Sequence, residues 1–186
     1  MRPGGRRARP RPSEAAMVAV VADHLKAQEY RVYVNPDGTD YFDLVARRGD
    51  EVGMVEAKRG DRMAVLAQAL RRRVWGSWSA VAIGSAPAAR RLVAETADGR
   101  ARPVGVWAVT GSRVEVLRAA RPWVTPGSDD PYRALRERFL GVLDQRDRGE
   151  LPEGVAWDGL LGQVRRASHG RGFAEWRLDE PGPDPS

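Results

Sequence analysis

The 186-residue chain is 42% hydrophobic, carries a formal net charge of +6 and contains no cysteine and only two histidines, His24 and His169. Its mean hydropathy is -0.50, and no run approaches the ~20 apolar residues of a spanning helix, which excludes a helical membrane protein. Absent cysteine excludes disulfides, thiolate zinc sites and cysteine catalysis together, and two histidines argue against a histidine-rich metal site.

The length suits one globular domain with an appendage. A pI near 10.4 favours a polyanionic partner. Arginine greatly outnumbers lysine, and guanidinium groups engage phosphate oxygens in a bidentate way; a GC-rich genome also favours arginine, so the basicity supports without deciding. The basic N-terminus lacks the apolar core of a signal peptide, so the expected location is cytoplasmic.

Residues 1–12 place Arg2, Arg6, Arg7, Arg9 and Arg11 among prolines and glycines, the composition of a disordered arm. It suits phosphate contacts and a solvated tail equally. Ser13 is a good N-cap for a helix to about Gln28, with Met17, Val21 and Leu25 as its buried stripe and Val18 and Val20 beside them. Glu14 lies near that inward face, and a first-turn glutamate is also what the helix dipole favours. His24 reads as a surface or ordinary packing residue.

Tyr30 to Val34 is the first expected strand, ended by the turn Asn35-Pro-Asp-Gly38. Two further strands, Tyr41 to Arg47 and Val52 to Lys58, flank the polar link Arg48-Gly49-Asp50-Glu51 and predict a hairpin. Glu56 and Lys58 share one face, about 7 Å apart at a rise of roughly 3.3 Å per residue, while Val55 and Ala57 face a core. With Asp43 on the neighbouring strand, this is more charge than a hairpin needs. Asp37 and Asp40 lie nearby, and Asp40 rivals Asp43 as an acidic ligand.

A helix from about Asp61 to Trp75 follows, with Met63, Leu66, Leu70 and Val74 as its apolar face and Arg71, Arg72 and Arg73 near its C-terminus. The arginines suit both the negative end of the helix dipole and a backbone-binding track. Ser79 to Gly84 is a near-continuous apolar run, the pattern of a strand covered on both faces. A helix from Pro87 to about Thr96, then strands Val104 to Val109 and Arg113 to Leu117, extend the sheet. Residues 119–131 read as a linker. The helix from about Pro131 to Arg148, with Tyr132, Leu135, Phe139, Val142 and Leu143 as its stripe, opens an appendage over 132–180. A shorter helix from Asp158 to Arg166 and a strand from Gly172 to Leu178 give it a faintly winged-helix-like pattern, and 181–186 form a tail. Phosphate-loop, dinucleotide-binding, nucleophile-elbow and zincin motifs are absent.

Asp43, Glu56 and Lys58 resemble the PD-(D/E)XK nuclease superfamily: Asp43 matches the first acidic residue, Glu56 the second and Lys58 the lysine, with Phe42 where the pattern has proline. The resemblance spans roughly Ser13 to Ser85, extending toward Arg118, and looks most like Holliday-junction-resolvase-like, VRR-type and phosphodiesterase-like branches. It implies an α/β fold with a restriction-endonuclease-like α-β-β-β-α-β core over 13–118 and a mixed central sheet flanked by helices. It implies Mg2+, with Mn2+ as a substitute, held by Asp43, Glu56 and the carbonyl of Ala57. Lys58 would position water and stabilise developing charge. Glu14 on the first helix would approach the metal, and Gln68 would orient water or the phosphodiester, although glutamine is also a good exposed helix residue. Arg59, Arg71, Arg72 and Arg73 would contact nucleic acid, most readily DNA, in repair, recombination or phage defence. Many such enzymes dimerise; core packing is the expected use of Trp75, Trp78 and Trp107, with a dimer interface as the alternative. A surface ion pair between Glu56 and Lys58, with Asp43 capping a turn, is the competing structural reading. A nucleic-acid-binding protein without catalysis and a protein-interaction subunit are the competing functions.

Overall fold

Ser13 caps the first helix, its Oγ accepting the N–H of Ala16 at 3.1 Å, and helix α1 runs over Glu14–Lys26. Met17, Val21 and Leu25 are fully buried along it, as their spacing of four residues predicts. The computed structural model describes residues 13–34, 42–123, 130 and 132–151. The expected arm over 1–12, Asp37 and Asp40, and everything proposed from residue 152 onward lie outside the described residues.

Six strands form one mixed sheet in sequence order: β1 (Arg31–Val34), β2 (Leu44–Arg48), β3 (Glu51–Lys58), β4 (Trp78–Ile83), β5 (Gly105–Thr110) and β6 (Arg113–Arg118). Strand β2 is antiparallel to both of its neighbours, β1 and β3; β3, β4 and β5 run parallel, and β6 returns antiparallel. Parallel neighbours need crossovers. Helices α2 (Arg62–Arg72) and α3 (Ala86–Glu95) supply them.

The β2–β3 turn is tighter than expected. Arg48 pairs with Glu51, leaving Gly49 and Asp50 as a two-residue loop with Gly49 at φ 60°, the left-handed geometry such turns require. Gly53, inside β3, meets a different demand: the indole of Trp78 lies where its Cβ would be. Strand β4 is buried at all six residues, as its unbroken apolar run predicts.

Helix α1 covers one sheet face, packing on Leu44, Ala46, Val55, Ala57, Ala80 and Ala82. Helices α2 and α3 cover the other, where Val65, Leu66 and Ala69 meet Val81, Ile83, Ala89 and Leu92. The α2 stripe differs from expectation: the helix stops at Arg72, and Met63 is 52% exposed. Ala69, rather than Leu70, is fully buried, and a methyl group at that position lets the helix approach the sheet closely.

Residues 119–123, expected to begin a linker, are tied to the core. The Arg121 N–H donates to Pro103 and the Trp123 N–H to Ser77, at 2.9 and 3.0 Å. Helix α4 (Arg133–Asp147) then lays Phe139 and Leu143 against Tyr33, Phe42, Val45, Met54 and Trp75. Tyr33 donates its hydroxyl to Asp147 at 2.8 Å, and Arg47 pairs with Asp144 at 2.7 Å. Trp75, Trp78 and Trp107 are only 5–6% exposed. They serve the core, the use expected of each ahead of a dimer interface. Among the described residues no helix is long and apolar enough to cross a membrane.

Because Phe139 sits fully buried between Phe42 and Trp75, Phe139→Ala is expected to lower unfolding free energy by about 3–5 kcal/mol. Urea denaturation followed by far-UV circular dichroism measures this. A loss below 1 kcal/mol would mean that α4 does not share the cooperative core.

Candidate active site

The antiparallel register of β2 and β3 pairs Leu44 with Val55. Extending it one step sets Asp43 across from Glu56. Asp43 leaves the strand at this point, and its Oδ2 accepts the N–H of Ala57 at 2.6 Å. A carboxylate thus takes over where a ladder carbonyl would have served, which fixes the side chain at the strand end.

Side chains alternate along β3, so Glu56 shares the face of Val52 and Met54 and turns toward α2. Its side chain is 5% exposed, and Oε1 accepts Nε–H of Arg72 at 3.0 Å. Burial pushes the Glu56 carboxyl up to about 7; Arg72 opposes that rise, while the charge of Asp43 adds to it. Burial also raises Asp43, against the lowering effect of the Ala57 N–H and the Lys58 charge. The two carboxyls are therefore electrostatic neighbours in a place that resists negative charge.

Lys58 ends β3 half-buried, its Nζ 3.4 Å from Oε2 of Glu14. The other Glu14 oxygen accepts the Arg59 N–H at 3.3 Å. Glu14, open between two readings in the sequence, thus brackets the end of β3 from the first turn of α1. Asp43, Glu56, Lys58 and Glu14 meet at one end of the central strand.

Gln68 and Arg72 are four residues apart on α2 and share a face. Gln68 Oε1 is buried and accepts no hydrogen bond from the described residues, so Gln68 is not simply an exposed helix residue. The arginine track needs correction. Arg72 is not a surface phosphate ligand: its side chain is 13% exposed and bound to Glu56, because a buried carboxylate demands a paired cation. Arg59 and Arg71 are exposed, whereas Arg73 is half-buried and its carbonyl accepts Nη2–H of Arg136 at 3.3 Å. The role of Arg72 was detectable in principle, since it follows Gln68 by one helical repeat on a face already turned to the sheet.

Among the described residues no group of three or more histidine, aspartate and glutamate side chains is gathered to hold a metal ion. The donor set here is smaller: two carboxylates, with the Ala57 carbonyl between them in the sequence. Asp43 Oδ1 and Glu56 Oε2 receive no hydrogen bond from a described residue. Two adjacent, destabilised carboxylates with oxygens to spare fit a hard divalent cation that keeps several waters.

No protein-family model matches the chain, and neither a curated protein nor a solved structure does.

The buried Glu56 carboxyl makes a prediction about stability. Its folded pKa of about 7 lies above the ordinary 4.5, so folding binds its proton more tightly. Its contribution is complete below pH ~4.5 and is lost as pH rises through ~7. With EDTA present, Glu56→Gln is expected to remove that loss and to be the more stable protein at about pH 8, the gap closing toward about pH 4.5. Thermal melts of both proteins across this range test it; a gap that widens on acidification would refute the assignment.

Proposed function

We propose that the chain is a divalent-metal-dependent nuclease of the PD-(D/E)XK, restriction-endonuclease-like type that hydrolyses phosphodiester bonds in DNA. One observation carries the reading: Asp43, Glu56, Lys58 and Glu14 converge at the end of β3 from three separate elements, with Asp43 fastened by the Ala57 amide. The element order α1-β1-β2-β3-α2-β4 agrees with the core which that resemblance implies. A net charge of +6 and the exposed Arg59 and Arg71 favour a polyanionic substrate.

In this reading Asp43 and Glu56, with the Ala57 carbonyl, hold Mg2+ or Mn2+. Such an ion supplies charge to the phosphoryl oxygens and acidifies water. Lys58, held by Glu14, directs its ammonium at the reacting phosphate and stabilises the charge that develops there. Gln68 Oε1, a buried acceptor, orients a water proton. Arg72 holds the Glu56 carboxylate in place.

A second reading has its own observation. Arg72 already neutralises Glu56, an arrangement that also suits a fold that binds nucleic acid without cutting it.

Cleavage of supercoiled, linear, single-stranded and four-way-junction DNA with Mg2+, Mn2+ or EDTA separates the two. Metal-dependent cutting is expected, with Glu56→Ala and Lys58→Ala each slowing it by at least about 10²–10³-fold while leaving salt-sensitive DNA binding in place. Binding without cutting by the parent protein would select the second reading. Undiminished cutting by both variants would reject the site.

A further inference from the structure

Arg72 differs from its neighbours Arg71 and Arg73 because the rotation of α2 turns it to the sheet. Val65 and Ala69 are fully buried on this helix, and Arg72 continues their stripe three residues beyond Ala69. A basic residue in the last turn suits the helix dipole even when it points to water. Here the side chain is only 13% exposed, and its Nε–H is donated to Oε1 of Glu56 at 3.0 Å. The buried Trp75 donates its N–H to the Arg72 carbonyl at 2.9 Å, which fixes the main chain from which the arginine reaches.

The charges at the end of β3 are unevenly matched. Asp43, Glu56 and Glu14 bring three negative charges, and Lys58 and Arg72 bring two positive ones. The five act as one group. Glu56 feels the charges of Arg72, Asp43 and Lys58, and Asp43 those of Lys58, Glu14 and Arg72. Arg59, Asp61 and Arg71 are exposed, where water weakens their influence. With every member ionised, the group holds one net negative charge.

That balance does not suit a divalent cation held alone. Such an ion would leave a net positive charge beside side chains withdrawn from water, and uncompensated charge there is unfavourable. A phosphodiester carries one negative charge and restores neutrality, and phosphate oxygens commonly complete the ligand set of Mg2+ on one or two carboxylates. Without Arg72 the group would hold two negative charges and match the ion by itself.

We propose that Arg72 makes cation binding depend on substrate: its charge at Glu56 stands in for part of the metal's, so the ion is held firmly only together with a DNA phosphodiester. The inference rests on the nuclease reading of this site and adds its regulation. The free protein keeps an internal ion pair where the loaded site has a metal, and it loads when DNA arrives. Arg72 acts through Glu56 and is a positioning residue.

The test measures binding rather than cutting. Mn2+ affinity of the full chain is read by electron paramagnetic resonance of the free ion, alone and with a short phosphorothioate duplex that resists hydrolysis. DNA is expected to raise Mn2+ affinity about 5–150-fold, the usual range of coupling between two ligands, and Mn2+ to raise DNA affinity by the same factor. Fluorescence anisotropy of the labelled duplex reads the second effect. In Arg72→Met, Mn2+ binding without DNA should tighten at least about ten-fold, and the coupling should fall below about three-fold. Arg72→Gln removes the charge, keeps a hydrogen-bond donor, and gives the same reading if Arg72→Met does not fold. Arg72→Lys keeps the charge and should keep the coupling. Equal Mn2+ affinity with and without DNA in the parent would overturn the proposal and leave the metal site standing. So would parental coupling in the charge-free variants, or its loss in Arg72→Lys as well. No Mn2+ binding by the parent under either condition would reject the nuclease reading itself, and the proposal with it.

Discussion

Everything at the end of β3 follows from one costly arrangement, a carboxylate withdrawn from water on the central strand. Glu56 is buried beneath α2, and desolvation pushes its carboxyl to about 7 even with Arg72 at 3.0 Å. Removing a charge from water costs more than a single ion pair returns unless further groups compensate. Asp43 nearby worsens the balance and Lys58 relieves it. Such an arrangement makes a poor structural ion pair, and in the proposed reading an incoming cation would relieve both carboxylates at once.

The geometry that allows it is set by backbone, not by charge. Strand β3 is antiparallel to β2 and parallel to β4, so its C-terminal end lies beside both the start of β2 and the end of β4. The hairpin delivers Asp43, and the crossover helix α2 delivers Gln68 and Arg72. Helix α1, crossing the opposite face, brings Glu14 to Lys58. Its last turns pack on the same face, where His24 meets the edge of Trp107. The buried stripe of Met17, Val21 and Leu25 thereby fixes where Glu14 stands.

Helix α4 completes the second layer. A sheet with three strands on either side of its centre has more apolar surface than α2 and α3 cover, and Tyr33, Phe42 and Val45 on the β1–β2 side would face water without Phe139 and Leu143. Ion pairs from Arg31 and Arg47 to Asp144 and Asp147 hold it in register. What composition marks as a linker and appendage is, over 119–123 and 132–147, part of the same packed body. Proline and serine spacing reports flexibility of the unfolded chain, while the two hydrogen bonds of Arg121 and Trp123 arise only once the core exists.

The sequence by itself determined the elements. Period-four apolar residues define α1, the unbroken run Ser79 to Ile83 defines the doubly covered β4, and the short polar link with Gly49 defines the hairpin; these signals are local, carried by dihedral preference and burial period. It also determined that Glu56 and Lys58 share a face with Asp43 close by, since strand alternation requires it. Only the tertiary structure decided that Glu14 reaches Lys58, that Arg72 belongs to Glu56 rather than to the surface, that Ala69 faces the sheet where Leu70 was expected, and that the three tryptophans are core. Those facts depend on helix rotation and on distances between elements far apart in the chain. They are settled by the competition to bury apolar area without stranding a charge, which no local pattern records.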